Sequence, residues 1–297
     1  MSQKDLKNSG GRTNKKRSDS FRHSKSLGQN FLKDDSVIAQ IVEGSGITEN
    51  DLVIEVGPGE GALTEAAADA AGKLIAIELD KRLIPVLRAK FGTRDDIIII
   101  NEDILKTDLN QLISQNQMTG EGAGVRIIGN LPYYITTPII MKILEEGVRA
   151  DSITAMMQKE VADRIVAPAG SRTYGALSAA VQYYCRVTKI CDVPRHVFTP
   201  QPKVDSAVIR MDIRKEKPVT VRDERVFFQC IKAGFGQRRK TLLNSLCGMQ
   251  GLEKEDAGRA LDEAGIERNR RAETLTIDEF AKLSDIIGRM QTEERDS

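Results

Sequence analysis

The chain has 297 residues, 40% hydrophobic and 29% charged, with a formal net charge of +1; that suffices for one large core and a smaller one, and excludes any case for a nucleic-acid partner from global charge. Four cysteines, Cys185, Cys191, Cys230 and Cys247, lie in apolar runs without C-x-x-C spacing, so they read as reduced thiols of a cytoplasmic protein, with no disulfide and no metal site expected. No apolar run approaches the ~18 residues of a membrane span, and the polar N-terminus lacks the apolar segment of a secretory signal.

Residues 1–24 are polar and basic, with Lys4, Lys7, Arg12, Lys15, Lys16, Arg17 and Arg22 opposed only by Asp5 and Asp19. They read as a disordered, solvated tail, with phosphate contact as the alternative. From Leu52 onward, short branched apolar runs recur: LVIEV (52–56), KLIAIEL (73–79), DIIIIN (96–101), VRIIGN (125–130) and SITAMMQ (152–158). Continuous apolar character of this kind is what strands buried on both faces require.

Helical stretches separate these runs. ALTEAAADAAG stops at Gly72, DKRLIPVLRAKFG must put Pro85 in a first turn or kink there, and TPIIMKILEEG has Pro138 near its start and Gly147 at its end. Strand alternating with helix predicts a doubly wound, parallel, Rossmann-like α/β sheet with right-handed crossovers. The alternating VDSAVIRMDI (204–213) predicts a further strand closing that sheet near its edge. Beyond it, Phe227, Cys230, Ile231 and Phe235, then Leu242, Leu243 and Leu246, then IDEFAKLSDIIGRM fall at helical spacing. The expected division is a catalytic domain over 25–214 and a small all-helical domain over 215–297.

EVGPGEGALT (55–64) joins the first strand to the first helix. Gly57, Gly59 and Gly61 let a ligand lie against the main chain, and Gly57 to Ala62 fits G-x-G-x-x-G/A, with Glu78 about 20 residues on, as a dinucleotide site requires. Glu55, two positions before Gly57, is awkward beside a pyrophosphate and suits a ligand with a cationic end. Asp103 then follows the third strand, so acids stand at successive strand ends, where open α/β sheets bind ligands. A positively charged, adenosine-containing ligand at such an edge points to S-adenosylmethionine, with Glu78 accepting from the ribose and Asp103 from the adenine amine.

The fourth strand delivers Asn130, Leu131, Pro132 and Tyr133 to the same edge. An exocyclic base amine is a poor nucleophile because its lone pair is delocalised. The Asn130 carboxamide oxygen and a main-chain carbonyl beside Pro132 could accept its two hydrogens and aim the lone pair at a methyl donor. Pro132 stiffens the turn and Tyr133 offers a stacking face. The two histidines, His23 and His196, lie outside these motifs.

Taken in order, LGQNFL (27–32), EVGPGEGALT, IELD (77–80), NEDIL (101–105), GNLPYYI (129–135), VFTPQPKVDSAV (197–208) and GQRRKTLLNSL (236–246) resemble the ribosomal RNA adenine dimethyltransferases, in particular the small-subunit branch. The resemblance implies two methyl transfers to N6 of each of two adjacent adenosines near the 3′ end of 16S rRNA, in the immature 30S subunit, by a monomer. It places Asn30, Leu32, Gly57, Gly59, Glu78, Asp103 and Asn130 around the donor, Asn130 to Tyr133 at the target, and Phe198 as a second aromatic wall over the flipped adenine. Arg238, Arg239 and Lys240 are expected to grip RNA phosphates. The competing readings are a nicotinamide dehydrogenase, a DNA adenine methylase, and a non-catalytic nucleic-acid binder.

Overall fold

The computed structural model describes residues 30–249 and 252–295; the basic segment 1–24 and His23 lie outside them. A short strand, β1 (Phe31–Leu32), leads into helix α1 (Asp35–Ser45), whose first turn is capped by the Asp34 carboxylate accepting from the Ser36 and Val37 amides. Then β2 (Leu52–Val56), β3 (Lys73–Ile77), β4 (Ile97–Ile100), β5 (Val125–Asn130) and β6 (Ser152–Gln158) alternate with α2 (Ala62–Ala70), α3 (Ile84–Phe91), α4 (Leu109–Asn116) and α5 (Thr136–Glu145). Helices α6 (Lys159–Val166) and α7 (Ala176–Tyr184) precede three more strands, β7 (Cys185–Val193), β8 (Phe198–Thr199) and β9 (Ser206–Ile213). The C-terminal region is helical: α8 (Glu224–Gly236), α9 (Leu242–Leu246), α10 (Lys254–Ala264) and α11 (Ile277–Arg295).

The main sheet runs β4-β3-β2-β5-β6-β9-β7, with β4 to β6 mutually parallel and β9 antiparallel to both neighbours. Strand β2, inside the sheet between β3 and β5, is buried throughout. Its Leu52, Ile54 and Val56 join a layer with Leu109 of α4, Ile139 and Ile143 of α5 and Ile165 of α6, while Val53 joins the opposite layer with Ile41 of α1, Ala67 of α2 and Leu87 of α3. Period-two alternation between two apolar layers explains why the run carries no polar face.

Several details depart from the sequence reading or sharpen it. Strand β9 is one place in from the edge; the edge is β7, whose CRVTKICDV exposes Arg186, Thr188 and Asp192. Charged, half-exposed edge strands resist unwanted pairing and so give no apolar run to detect. Pro85 sits in the first turn of α3, where a missing N–H costs nothing. The stretch after Gly236 turns before α9 begins at Leu242, so Arg238, Arg239 and Lys240 lie on a turn rather than a helix. All four cysteines are free, but only Cys185 and Cys230 are buried, whereas Cys247 is exposed.

The helical region shares its core with the sheet-bearing part. Tyr174, Ala179 and Tyr183 belong to the same buried cluster as Phe227, Leu242, Leu261 and Phe280. The Tyr183 and Phe227 rings are 4.8 Å apart, and Gly170 donates its N–H to the Glu273 carbonyl at 2.7 Å. Phe227 is fully buried at this joint, so Phe227→Ala is expected to destabilise the chain by about 3–5 kcal/mol in denaturant unfolding followed by circular dichroism. A loss below about 1 kcal/mol would mean the joint carries little of the stability.

Candidate functional site

In spatial order β4, β3, β2 and β5, four neighbouring parallel strands end at one edge, just before or at Asp103, Glu78, Gly57 and Asn130. The chain steps outward from β2 to β3 and β4, then returns to the other side of β2 for β5 and β6. This reversal opens a crevice at the carboxyl ends. A cavity of about 1140 Å³, counted out to its open mouth, fills it. Asn30, Leu32, Gly57, Gly59, Glu78, Asp103, Asn130, Leu131, Pro132 and Tyr133 all line this space.

The glycine loop is built for close approach. Gly57 has φ +70°, and a Cβ there would meet nothing within 4 Å, so its free side is open. Gly59 has φ +60°, and a Cβ would lie 2.8 Å from Phe31 Cε1. Hence the loop needs the left-handed region at both positions and lacks room for a side chain at the second. The Glu78 carboxylate holds the loop in place: Oε2 accepts from the Gly59 N–H at 3.1 Å and Oε1 from the Asp80 N–H at 2.8 Å. Asn101, which the sequence reading passed over, donates to the Glu78 carbonyl at 2.7 Å and ties the end of β4 to that of β3.

Glu55 is only 1% exposed, and its Oε2 has no hydrogen-bond partner among the described residues. Burial pushes its pKa up to about 7, against the lowering effect of the neighbouring Thr64 hydroxyl and with the nearby negative charge of Glu78 adding to the rise. Burial also raises the Glu78 pKa, against the lowering effect of its backbone donors. Glu55 lines the cavity as a buried acid, and a cationic ligand group bound beside it would favour its ionised form. Asp103 uses Oδ1 to accept from the Leu105 N–H at 3.0 Å.

The Asn130 amide is oriented by a hydrogen bond. Its Nδ2 donates to the Asn30 main-chain carbonyl at 2.9 Å, and only the amino end can donate to a carbonyl. Its Oδ1 is therefore the end left for a ligand. The Pro132 carbonyl is taken by the Ile135 N–H at 3.1 Å and the Thr136 hydroxyl at 3.0 Å. Leu131 is anchored by its N–H to the Met156 carbonyl at 3.0 Å. The half-buried Tyr133 places its hydroxyl 2.6 Å from that of Ser206 in β9, a partner 73 positions away that no local pattern could reveal.

Two expected groups lie outside this cavity. Phe198 is 3% exposed and pairs with Leu32 across the β1–β8 ribbon, in the apolar cluster that contains Leu32, Met156 and Val193; it is not among the cavity's lining residues. Arg238, Arg239 and Lys240 form a separate, shallow depression on the turn after α8. Arg238 donates to the Arg172 carbonyl at 2.7 Å and lies 3.7 Å from Glu273, whereas the exposed side chains of Arg239 and Lys240 have no partner among the described residues.

Comparison with known proteins gives a consistent picture. The family model for ribosomal RNA adenine dimethylases matches residues 20–288. The chain is 50% identical over 267 residues to a ribosomal RNA small subunit methyltransferase A of Clostridioides difficile, covering 90% of this chain and 91% of that protein. A protein of the same name from Geobacillus thermodenitrificans is 49% identical over 270 residues, covering 90% of this chain and 92% of its own. Among solved structures, a dimethyladenosine transferase from Plasmodium falciparum shares the fold with a TM-score of 0.71 at 24% identity, over 85% of this chain and 95% of that one. A 23S rRNA methyltransferase, ErmE, superposes with a TM-score of 0.65 at 26% identity, over 87% of this chain and all of the other.

Glu55 sets an expectation for pH. Its value is 4.5 in an unfolded chain and about 7 when folded, so between those pH values the folded state keeps a proton the unfolded state has lost, and Glu55 weakens folding as pH rises through the window. Ligand binding runs the other way, because a cationic ligand prefers the ionised form. Affinity for S-adenosylmethionine, measured by calorimetric titration, is expected to rise several-fold from about pH 5.5 to about pH 7.5 and then level off. Glu55→Gln should flatten that rise, and an unaltered profile in the variant would remove Glu55 from ligand binding.

Proposed function

The chain belongs to the ribosomal RNA adenine dimethylase family, and from that premise we propose that it transfers methyl groups from S-adenosylmethionine to N6 of two adjacent adenosines in the 3′-terminal hairpin of 16S rRNA. We propose that it acts as a monomer on the immature 30S subunit in the cytoplasm, with residues 25–214 carrying the chemistry and 215–297 serving RNA binding. The observation that carries the reading is the Asn130 amide, tied down at its amino end so that its oxygen is left for the cavity.

The residues at the cavity fit the donor. Gly57 is open on its free side, one oxygen of the buried Glu55 has no partner among the described residues, and the Glu78 carboxylate is already oriented by two amides. Bound there, S-adenosylmethionine supplies a methyl carbon made electrophilic by a positively charged sulfur. Glu55 and Glu78 give the site the negative character such a ligand needs, and each Glu78 oxygen keeps a second lone pair for the ribose hydroxyls. Asp103 has Oδ2 available for the adenine amine, and Asn30 and Leu32 close the site from the N-terminal side. A pyrophosphate, as in a nicotinamide cofactor, would face the buried Glu55 instead, so the dehydrogenase reading is disfavoured.

The target amine is managed by acceptors. Asn130 Oδ1 accepts one N6 hydrogen, and the Leu131 carbonyl accepts the other, since the Pro132 carbonyl is engaged by Ile135 and Thr136. Two such bonds pull the nitrogen toward a tetrahedral shape and direct its lone pair, an orientation effect able to contribute several kcal/mol. Tyr133, fixed at its hydroxyl by Ser206, presents a ring for the base. Phe198 packs with Leu32 in the apolar cluster beside the site. The displaced proton passes to solvent through the open mouth.

The deciding assay is radiolabelled methyl transfer to small subunits that lack this modification, with mapping of the labelled nucleotides. Two adjacent dimethylated adenosines are expected; label elsewhere, or only in duplex DNA, would overturn the reading. Asn130→Ala should lower transfer by a factor of about a hundred or more while donor affinity stays within a few-fold. Near-normal turnover would remove Asn130 from the reaction.

Arg239 and Lys240 are proposed to bind phosphate, with Arg238 dividing its bonds between RNA and the Arg172 carbonyl. Replacing Arg239 and Lys240 by Ala should reduce the log–log salt slope of RNA binding by about 1.5, from roughly 0.7 to 0.9 per lost phosphate contact. An unchanged slope would place the RNA elsewhere.

A further inference from the structure

Tyr134 stands out among the large hydrophobic side chains. It is 55% exposed, lines the mouth of the same cavity as Asn130, and has no hydrogen-bond partner among the described residues. Its neighbour Tyr133 is half-buried and anchored to Ser206. Two adjacent tyrosines on one turn therefore differ sharply: one is committed to the interior of the site, and the other is held out at its rim.

A tyrosine more than half exposed and without a hydrogen-bond partner among the described residues contributes little to folding. Among the described residues the other exposed apolar group on this rim is Leu79, 45% exposed, but it directly follows Glu78, just past the end of β3, and so belongs to the donor half of the cavity. Tyr134 instead lies on the turn after β5, beside the residues proposed to handle the target base. A base drawn into the cavity leaves the nucleotide beside it without a stacking partner. An aromatic face at the rim is what would replace that lost contact, and such stacking is tolerant of base identity.

Resting on the function proposed above, we infer that Tyr134 is a second stacking platform, which receives the nucleobase adjoining the target in the RNA strand. Tyr133 takes the base that reacts; Tyr134 holds its neighbour outside. The contact sets the register of the strand and strengthens substrate binding without touching the reacting nitrogen. The ring face is the working part, and the hydroxyl is dispensable.

The test uses the full chain with small subunits that lack the modification, comparing wild type, Tyr134→Phe and Tyr134→Ala in steady-state methyl transfer, with donor affinity measured separately. In Tyr134→Ala the KM for small subunits should rise about tenfold, within the range expected for one base–aromatic stack, while kcat and donor affinity stay within about twofold. Tyr134→Phe should match wild type. A KM unchanged in Tyr134→Ala would overturn the platform, and so would Tyr134→Phe failing as badly as Tyr134→Ala, since that would make the hydroxyl the active group. A fall in donor affinity equal to the rise in KM would move Tyr134 to the donor half and also overturn it. If the wild-type chain itself transfers no methyl group to these subunits, the failure lies with the enzymatic reading, and the platform falls with it.

Discussion

A single hydrogen bond sets the polarity of the site. When the Asn130 amino group donates to the Asn30 carbonyl, the carboxamide can no longer flip, and its oxygen is left for whatever enters the cavity. That bond depends on a partner 100 residues away, so it exists only because the N-terminal strand is held over the sheet edge. The β1–β8 ribbon does this, with Phe31 opposite Thr199, Leu32 opposite Phe198, and the Lys33 N–H donating to the Val197 carbonyl. Phe31 reaches under Gly59 as well, so the strand that orients the amide also shapes the glycine loop.

Electrostatics divides the cavity into two halves. Glu55 and Glu78 are buried on the side of β2 and β3, and their raised pKa values record the unfavourable free energy of keeping carboxylates away from water. A cationic ligand offsets that penalty only when bound, which makes an acidic, partly unsatisfied pocket selective for a positive charge over a neutral product. The β5 half holds no carboxylate among the residues from Asn130 to Ile135; it offers amide, carbonyl and phenol. Those groups accept hydrogens without removing a proton outright, which matches a weakly basic amine that sheds its proton after transfer.

The helical region is fastened by packing and by main-chain bonds together. Tyr174 and Tyr183 enter its core, and Arg238 and Gly170 bridge to main-chain carbonyls across the joint. An exposed basic turn on a region fastened in this way holds a set position relative to the cavity. Phosphate contacts there can therefore help to position a base at the site, as contacts remote from a reacting atom do in general.

Much of this was legible in the sequence because it depends on local physics. The branched apolar runs from Leu52 to Gln158 had to be buried strands, and glycines, acids and the Asn130–Tyr133 turn at their ends had to meet wherever parallel strands finish together. Edge strand β7 was hidden because its exposed charges erase the apolar signal, and Phe198 gave no sign that it would pack behind Leu32 instead of lining the cavity. The Asn130–Asn30 and Tyr133–Ser206 bonds, the orphaned Glu55 oxygen and the outward Tyr134 were settled by tertiary structure alone. Periodicity and propensity act over a few residues, whereas side-chain orientation and burial are decided by contacts between segments that only the folded chain brings together.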